Sequence, residues 1–301
     1  MGDIIHTLPA VASLKHGIPG SHITWVVEPQ WEPLLDGNPY VDERILLDRD
    51  SAAALMRSRH DLQREPFDFA VDFQGLMKSA LVATTAKTSR IFGFDSSQVR
   101  ETAAAIFYTN RTLSTASHVV DRNLDLARTA GAVDPLIVFP IPAGEPEQPL
   151  PEGDFVLACP LAGWGSKQWP LESYTQLAKR LKMPLVVNGP PSDANTLDKI
   201  DGAYRHISGL PGLIYATRRA TAVIGVDSGP MHLAAALQKP GVAIFGPTDP
   251  ARNGPYGKSM LALRSPIAET SYKRRAETDQ SMRAITPEEV FAALEVQLQP
   301  A

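Results

Sequence analysis

Between Phe155 and Gly246 short apolar runs alternate with amphipathic segments, and no other feature of the chain restricts its fold as strongly. The runs FVLACP (155–160), PLVVNG (184–189), YRHI (204–207), AVIGVD (222–227) and GVAIFG (241–246) have the length of strands. Between them lie LESYTQLAKRLK (171–182), SDANTLDKI (192–200), GLIYATRRA (212–220) and PMHLAAALQ (230–238), which read as helices. Near-continuous apolar strands are buried on both faces, as in a parallel sheet flanked by helices, and βαβ crossovers are right-handed. The C-terminal half is therefore expected to be Rossmann-like.

The N-terminal half repeats the pattern more loosely, with strand candidates HITWVVE (22–28), ERILL (43–47), FDFAVDF (67–73) and RIFGF (90–94). It reads as a second α/β domain. The stretch FPIPAGEPEQPLPEGD (139–154) carries five prolines and no helical period, which suits a semi-rigid connector. The expected division is 1–145 for the N-terminal domain, 146–285 for the C-terminal domain and 286–301 for a terminal helix free to pack back on the N-terminal domain. That helix is signalled by the apolar stripe of PEEVFAALEVQL (287–298). A doubly wound domain normally opens on a strand, yet here a helix starts directly after Met1, so the first strand is read as missing.

A chain of 301 residues, 44% of them hydrophobic, can bury two cores. Its formal net charge of −4 gives no reason to bind nucleic acid or an anionic membrane, so an anionic ligand must be held by local groups. With Cys159 as the only cysteine, neither an internal disulfide nor a cysteine metal cluster can form, which suits a cytoplasmic location. No run of about 18 apolar residues is present to span a membrane, and Met1–His6 has no signal-peptide pattern. Peripheral attachment to a membrane face stays compatible with this.

Ligands of open parallel sheets bind at the carboxyl ends of the strands, where loops lead into helix N-termini. After strand 155–160 comes LAGWGSKQWP (161–170), in which Gly163 and Gly165 allow close backbone approach and Lys167 can neutralise a phosphate. After strand 222–227 comes Asp227-Ser228-Gly229-Pro230-Met231-His232, where the N–H groups of an opening helix would meet an anion. Together these describe a diphosphate cradle. The loops 189–193, with Asp193, and 246–250, with Asp249, reach the same edge and can read a nucleoside or a sugar hydroxyl. Neither the dinucleotide glycine fingerprint nor the P-loop occurs in a strand-to-helix context, which disfavours dehydrogenase and NTPase readings. In the N-terminal half, VDFQGLMKS (71–79) follows the same logic and places Gln74 and Lys78 near the cleft, while Arg57, Arg59, His60 and Arg64 could meet an acidic acceptor.

Each of these residues also has a plainer role. Asp3, Asp227 and Ser228 could cap helices, Lys167 could be solvated, His232 could be a packed core histidine, and Asp249 could shape a turn between two prolines. The basic run 57–64 could be a solvated helix face.

The blocks MGDIIHTLPA (1–10), FDFAVDFQGLMKSAL (67–81), GSKQWP (165–170), VDSGPMHLAAAL (226–237) and FGPTDPARNGPYG (245–257) resemble, in order, the signature blocks of glycosyltransferase family 9, the heptosyltransferases of lipopolysaccharide inner-core assembly. RETAAAIFY (100–108) is similar to the type I enzymes in particular. The resemblance implies a GT-B fold, two Rossmann-like domains facing a central cleft, and an inverting transfer of heptose from ADP-heptose to an acidic glycolipid of the Kdo-lipid A kind. It implies no metal or other cofactor, with ADP-heptose as substrate, no nucleic-acid partner, and peripheral contact with the inner membrane face. By motif position it makes Asp3 the general base and Lys167 the stabiliser of the leaving diphosphate. Gly165, Ser166, Asp193, Asp227, Ser228, Gly229 and His232 become donor-binding residues, and Gln74, Lys78, Arg57, Arg59 and Arg100 acceptor-binding ones. Relatives start earlier, with an apolar strand, so Met1 aligns inside the first block, as a start assigned too late would give. The runner-up readings are a transferase with another nucleotide-sugar donor and a non-catalytic nucleotide-sugar or glycolipid binding protein.

Overall fold

A computed structural model of the chain describes residues 1–299. It divides into two compact units, one of His6–Pro140 and one of Ile141–Ala301 joined by Met1–Ile5. The first five residues belong with the C-terminal unit.

The first element is the helix α1 (Gly2–Gly17). The N-terminal unit continues with β1 (Thr24–Val27), β2 (Glu43–Leu46), α2 (Ala52–Leu62), β3 (Ala70–Val71), α3 (Met77–Thr84), β4 (Ile91–Phe94), β5 (Asn110–Thr112) and α4 (Val119–Thr129). Its strands form two separate parallel sheets, β1-β2 and β3-β4-β5, and no strand among the described residues joins them. The core here is built by Phe92 and Phe94 of β4 packed against Ala10 and Leu14 of α1 and Leu126, Ala127 and Ala130 at the end of α4. FDFAVDF yields only a two-residue strand. β5 escapes the sequence reading because NRT is short, polar and largely exposed, without apolar alternation.

The C-terminal unit contains β6 (Val156–Cys159), α5 (Leu171–Arg180), β7 (Leu185–Gly189), α6 (Ala194–Leu197), β8 (Tyr204–Ile207), α7 (Leu210–Arg219), β9 (Ala222–Val226), α8 (Gly229–Ala236), β10 (Gly241–Phe245), α9 (Pro250–Asn253), β11 (Met260–Arg264), α10 (Gln280–Arg283) and α11 (Pro287–Leu298). Its six strands form one parallel sheet in the order β11-β10-β9-β6-β7-β8. β6, β7, β9 and β10 are buried along their whole length, which is why their sequences lack a polar alternation. β6 and β9 are direct neighbours, in register at Leu157 and Val223. The chain winds away from β6 through β7 and β8, then returns to β9 and winds the other way, so the strand order reverses between β6 and β9. That reversal is the topological switch point at which open α/β sheets bind ligands.

The connector after Pro140 is held to its own unit. The Glu147 carboxylate accepts from the N–H groups of Gly209 (2.7 Å) and Gly212 (2.8 Å) at the start of α7, a favourable place for an anion. Arg218 donates to the carbonyls of Ile141 and Pro142. Cys159 is buried, and burial pushes its thiol up to about 12.

The terminal helix lies in the C-terminal unit. Val290, Ala293 and Leu294 of α11 belong to the core of the C-terminal unit with Trp169, Tyr174 and Leu177, and its start is fixed by a capping box between Thr286 and Glu289. The apolar stripe of α11 is consumed there. Leu294→Ala, at a fully buried position, should lower unfolding stability by about 2–5 kcal/mol in urea denaturation, whereas Glu295→Ala on the exposed face should change it by less than about 0.5 kcal/mol. Equal effects of the two would contradict this packing.

Candidate functional site

The loops that follow β6 and β9 leave the sheet on either side of the switch point, and they bring Lys167 and Asp227 together across 60 residues of sequence. Lys167 Nζ donates to Asp227 Oδ2 at 2.9 Å, with the two side chains 14% and 6% exposed. A buried ion pair of this kind is not an ordinary solvated lysine, so the plainer reading of Lys167 fails. The His232 imidazole, on the first turn of α8, stands with Nε2 3.7 Å from the other carboxylate oxygen, within ion-pair range but beyond a hydrogen bond. Burial works to raise the Asp227 pKa, but the neighbouring His232 and Lys167 outweigh it and hold the carboxyl down at about 2.

The capping alternatives fail for the same loop. Ser228 occupies the N-cap of α8 in extended conformation, but its side chain makes no capping bond. Its hydroxyl is buried without a hydrogen-bond partner. The hydroxyls of Ser166, after β6, and Thr248, after β10, share that condition. β10, β9 and β6 are consecutive in the sheet, so the loops after three adjacent strands each hold a buried hydroxyl without a hydrogen-bond partner. Leaving such a group unsatisfied costs about 1–3 kcal/mol, and an anionic oxygen would satisfy it. The sequence reading singles out Asp249 and not its neighbour Thr248. The usable signal is a hydroxyl three residues beyond the end of an apolar strand on the ligand edge.

The glycines serve proximity, though not in the expected direction. A Cβ on Gly165 would lie 1.7 Å from the carbonyl oxygen of Ala276, and one on Gly229 would lie 2.7 Å from Met1 Sδ. Gly2 packs so closely on His232 that a Cβ would meet the imidazole Cδ2 at 2.9 Å. These contacts bring the first turn of α1, and hence Asp3, to the first turn of α8. Asp3 lies in the acidic first turn of α1 and is partly exposed. Asp193 ends a single 3-10 turn, Pro191–Asp193, after β7 and is partly exposed on the same sheet edge. Asp249 realises the plainer role assigned to it, its carboxylate capping α9 through the N–H of Ala251 at 2.9 Å.

In the N-terminal unit the loop after β3 is organised by Asp72, a buried carboxylate the sequence reading did not single out. It accepts from the backbone N–H of Gln74 (2.9 Å), the Ser79 hydroxyl (2.8 Å) and the Tyr108 hydroxyl (2.6 Å). Burial, followed by the Asp72 charge, raises the Tyr108 pKa, so its proton stays on the bridge. Gly75 adopts φ of +65°, which a residue with a side chain rarely adopts, and its carbonyl accepts from the N–H groups of Arg100 and Glu101 at 3.1 Å each. Gln74, Lys78 and Arg100 are thereby set around one loop. Lys78 is about half exposed, with Nζ 3.3 Å from Glu28. Arg57 and Arg59 are exposed on α2 and share no hydrogen bond or ion pair with Gln74 or Lys78 among the described residues.

Comparison with known proteins follows the same lines. The sequence profile of Glycosyltransferase family 9 (heptosyltransferase) matches residues 55–282. The chain is 29% identical over 293 residues to lipopolysaccharide heptosyltransferase 1 of Escherichia coli (strain K12), covering 88% of this chain and 91% of that protein. Among solved structures it is similar to the E. coli heptosyltransferase WaaC with ADP, with a TM-score of 0.78 and 25% identity over 98% of this chain and 96% of that one. WaaC with ADP-2-deoxy-2-fluoro heptose gives a TM-score of 0.73 at the same identity and coverage.

The depressed Asp227 carboxyl should contribute stability that is fully present above its ordinary value of 3.8 and is lost as pH falls through about 2. Asp227→Asn should flatten that acid-side loss and, by leaving Lys167 buried without its counter-charge, lower stability near neutral pH by about 3 kcal/mol. Urea midpoints measured across the acid range would decide, and superimposable profiles for the two proteins would refute the pairing.

Proposed function

The chain belongs to glycosyltransferase family 9, and from that premise we propose that it transfers heptose from ADP-heptose to an acidic, lipid-linked inner-core acceptor, with inversion at the anomeric carbon and without a metal ion. It is a glycosyltransferase of the GT-B fold. The observation that carries the finer reading is the buried Lys167–Asp227 pair with three unpartnered hydroxyls in the loops after consecutive strands. The WaaC structures with ADP and with a fluorinated ADP-heptose support the choice of donor.

In this reading the diphosphate rests at the N-terminus of α8, where the Gly229 loop, the Ser228 and Ser166 hydroxyls and Lys167 supply donors. Asp227 orients Lys167 and His232 from beneath, and Asp193 faces the nucleoside side. Asp3 is the general base. Its support is the packing of its own helical turn on His232 and Gly229, which brings a carboxylate to the donor loop. The acceptor hydroxyl oxygen forms a bond to the anomeric carbon as its proton passes to Asp3. The bond from that carbon to the β-phosphate oxygen breaks with its electron pair, and ADP departs. Lys167 and the helix N-terminus stabilise the charge growing on that oxygen, which is the role a divalent cation would otherwise fill. Gln74, Lys78 and Arg100, gathered by the Asp72 loop, together with Arg57 and Arg59, are proposed to bind the acidic acceptor at a peripheral position on the inner membrane face. No helix among the described residues is long and apolar enough to cross a membrane.

Mass-spectrometric product analysis with ADP-heptose and a deacylated inner-core acceptor should show addition of one heptose, undiminished by EDTA. Asp3→Ala should lower transfer by at least about 10²-fold while sparing ADP binding. Lys167→Ala should slow transfer by about 10²–10³-fold and weaken ADP binding. Full turnover in Asp3→Ala would remove the base assignment, and ADP binding without any transfer by the wild type would move the donor assignment to another sugar.

A further inference from the structure

Lys167 and Asp227 neutralise each other, which leaves the charge of a bound diphosphate unbalanced. A nucleoside diphosphate sugar brings two negative charges, and ADP gains a third when the glycosidic bond breaks. The N-terminus of α8 supplies the equivalent of roughly half a positive charge. More cations are needed close by, in a chain whose net charge is −4.

Residues 271–279 supply them. This segment, SYKRRAETD, has no regular secondary structure and is fixed to the donor loops along its length. At its start the Ser271 N–H donates to the Pro247 carbonyl in the loop after β10 (2.7 Å), and the Arg252 guanidinium lies over the Tyr272 ring at 5.1 Å. In its middle the Arg275 carbonyl accepts from the Ser166 N–H at 3.1 Å, and the Ala276 carbonyl fills the space beside Gly165 where a side chain would be. At its end the Asp279 N–H approaches the Ser166 carbonyl at 3.4 Å, and the Asp279 carboxylate is occupied in capping α10. The strap therefore runs as a tethered span across the loops that carry Thr248, Ser166 and Lys167.

Its three consecutive cations, Lys273, Arg274 and Arg275, are exposed; Arg275 attracts the Asp279 carboxylate of the same strap and helps to lower its pKa, after the hydrogen bond from Ser281, without closing to an ion pair. The Arg274 guanidinium stands 5.6 Å from the centre of the Trp164 ring, and Lys167 Nζ stands 4.6 Å from the same ring. Trp164 thus couples the strap to the buried lysine, and the attraction of each cation for the ring keeps both near it. We propose that Arg274 and Arg275, held by the 271–279 strap and by Trp164, bind the diphosphate of the donor and balance the charge that Lys167 cannot. The proposal rests on the nucleotide-diphosphate reading of the site and adds two binding residues to it.

The test is calorimetric titration of the full chain with ADP and, separately, with adenosine at several salt concentrations. Arg274→Ala/Arg275→Ala should raise the Kd for ADP by about tenfold or more, leave adenosine unchanged, and flatten the dependence of ADP affinity on salt. Arg274→Lys/Arg275→Lys, which keeps the charge, should restore most of the salt dependence and part of the affinity. An ADP Kd within about twofold of the wild type in the alanine variant would overturn the proposal. So would a rise in the acceptor KM with the donor KM unchanged, because the cations would then serve the acceptor. If the wild type binds no ADP at all, the functional reading itself fails, a result distinct from either.

Discussion

A charged lysine and a charged aspartate, both almost removed from water, sit at the point where the C-terminal sheet reverses its strand order, and the rest of that unit is arranged to make this tolerable. Burying an ion pair is a poor route to stability, since desolvation of the two charges cancels most of their attraction. The pair persists because β6 and β9 are neighbours in one rigid, fully buried sheet, so their loops present Lys167 and Asp227 at a fixed 2.9 Å. The same geometry keeps the Asp227 carboxyl ionised at any working pH. A lysine held this way is pre-aimed, and little reorganisation is needed when an anion arrives.

The unused hydroxyls sharpen the point. A serine at a helix N-cap normally turns its oxygen onto the backbone N–H groups behind it, and Ser228 does not. The Ser228 hydroxyl is instead buried without a hydrogen-bond partner at the start of α8. With Ser166 and Thr248 in the loops after β6 and β10, the edge gathers buried hydroxyls around an Asp227 already engaged by Lys167. A site so composed favours phosphate over a cationic or neutral ligand.

Much of this was legible in the sequence, and the limits have physical causes. Strands buried on both faces announce themselves as apolar runs, so β6, β7, β9 and β10 and the loops that follow them could be placed before any coordinates. β5 and β11 are edge strands, polar or partly exposed, and carry no such period. The partnership of Lys167 with Asp227 depends on strand order, which a one-dimensional pattern leaves open. The Asp72 hub is hidden because its hydroxyl partners, Ser79 and Tyr108, come from separate elements. Tyr108 in particular reaches it from 36 residues away. The strap 271–279 has no periodicity at all, and its importance lies in backbone contacts that composition does not encode.

The glycines of the candidate site illustrate how a correct physical reason can attach to the wrong neighbour. The sequence assigns Gly165 a role in close backbone approach and places Gly229 in the donor loop, yet the space a Cβ would take at each is already filled by the protein, by Ala276 and by Met1. None of Gly2, Gly165 and Gly229 needs a positive φ, so conformational freedom is not why a glycine stands there. Their shared property is that removing a side chain lets two chain segments close on each other: the first turn of α1 on α8, and the basic strap on the lysine loop. Glycine in these loops therefore assembles the walls of the site from distant parts of the sequence, and the ligand is left to face the polar groups those walls carry.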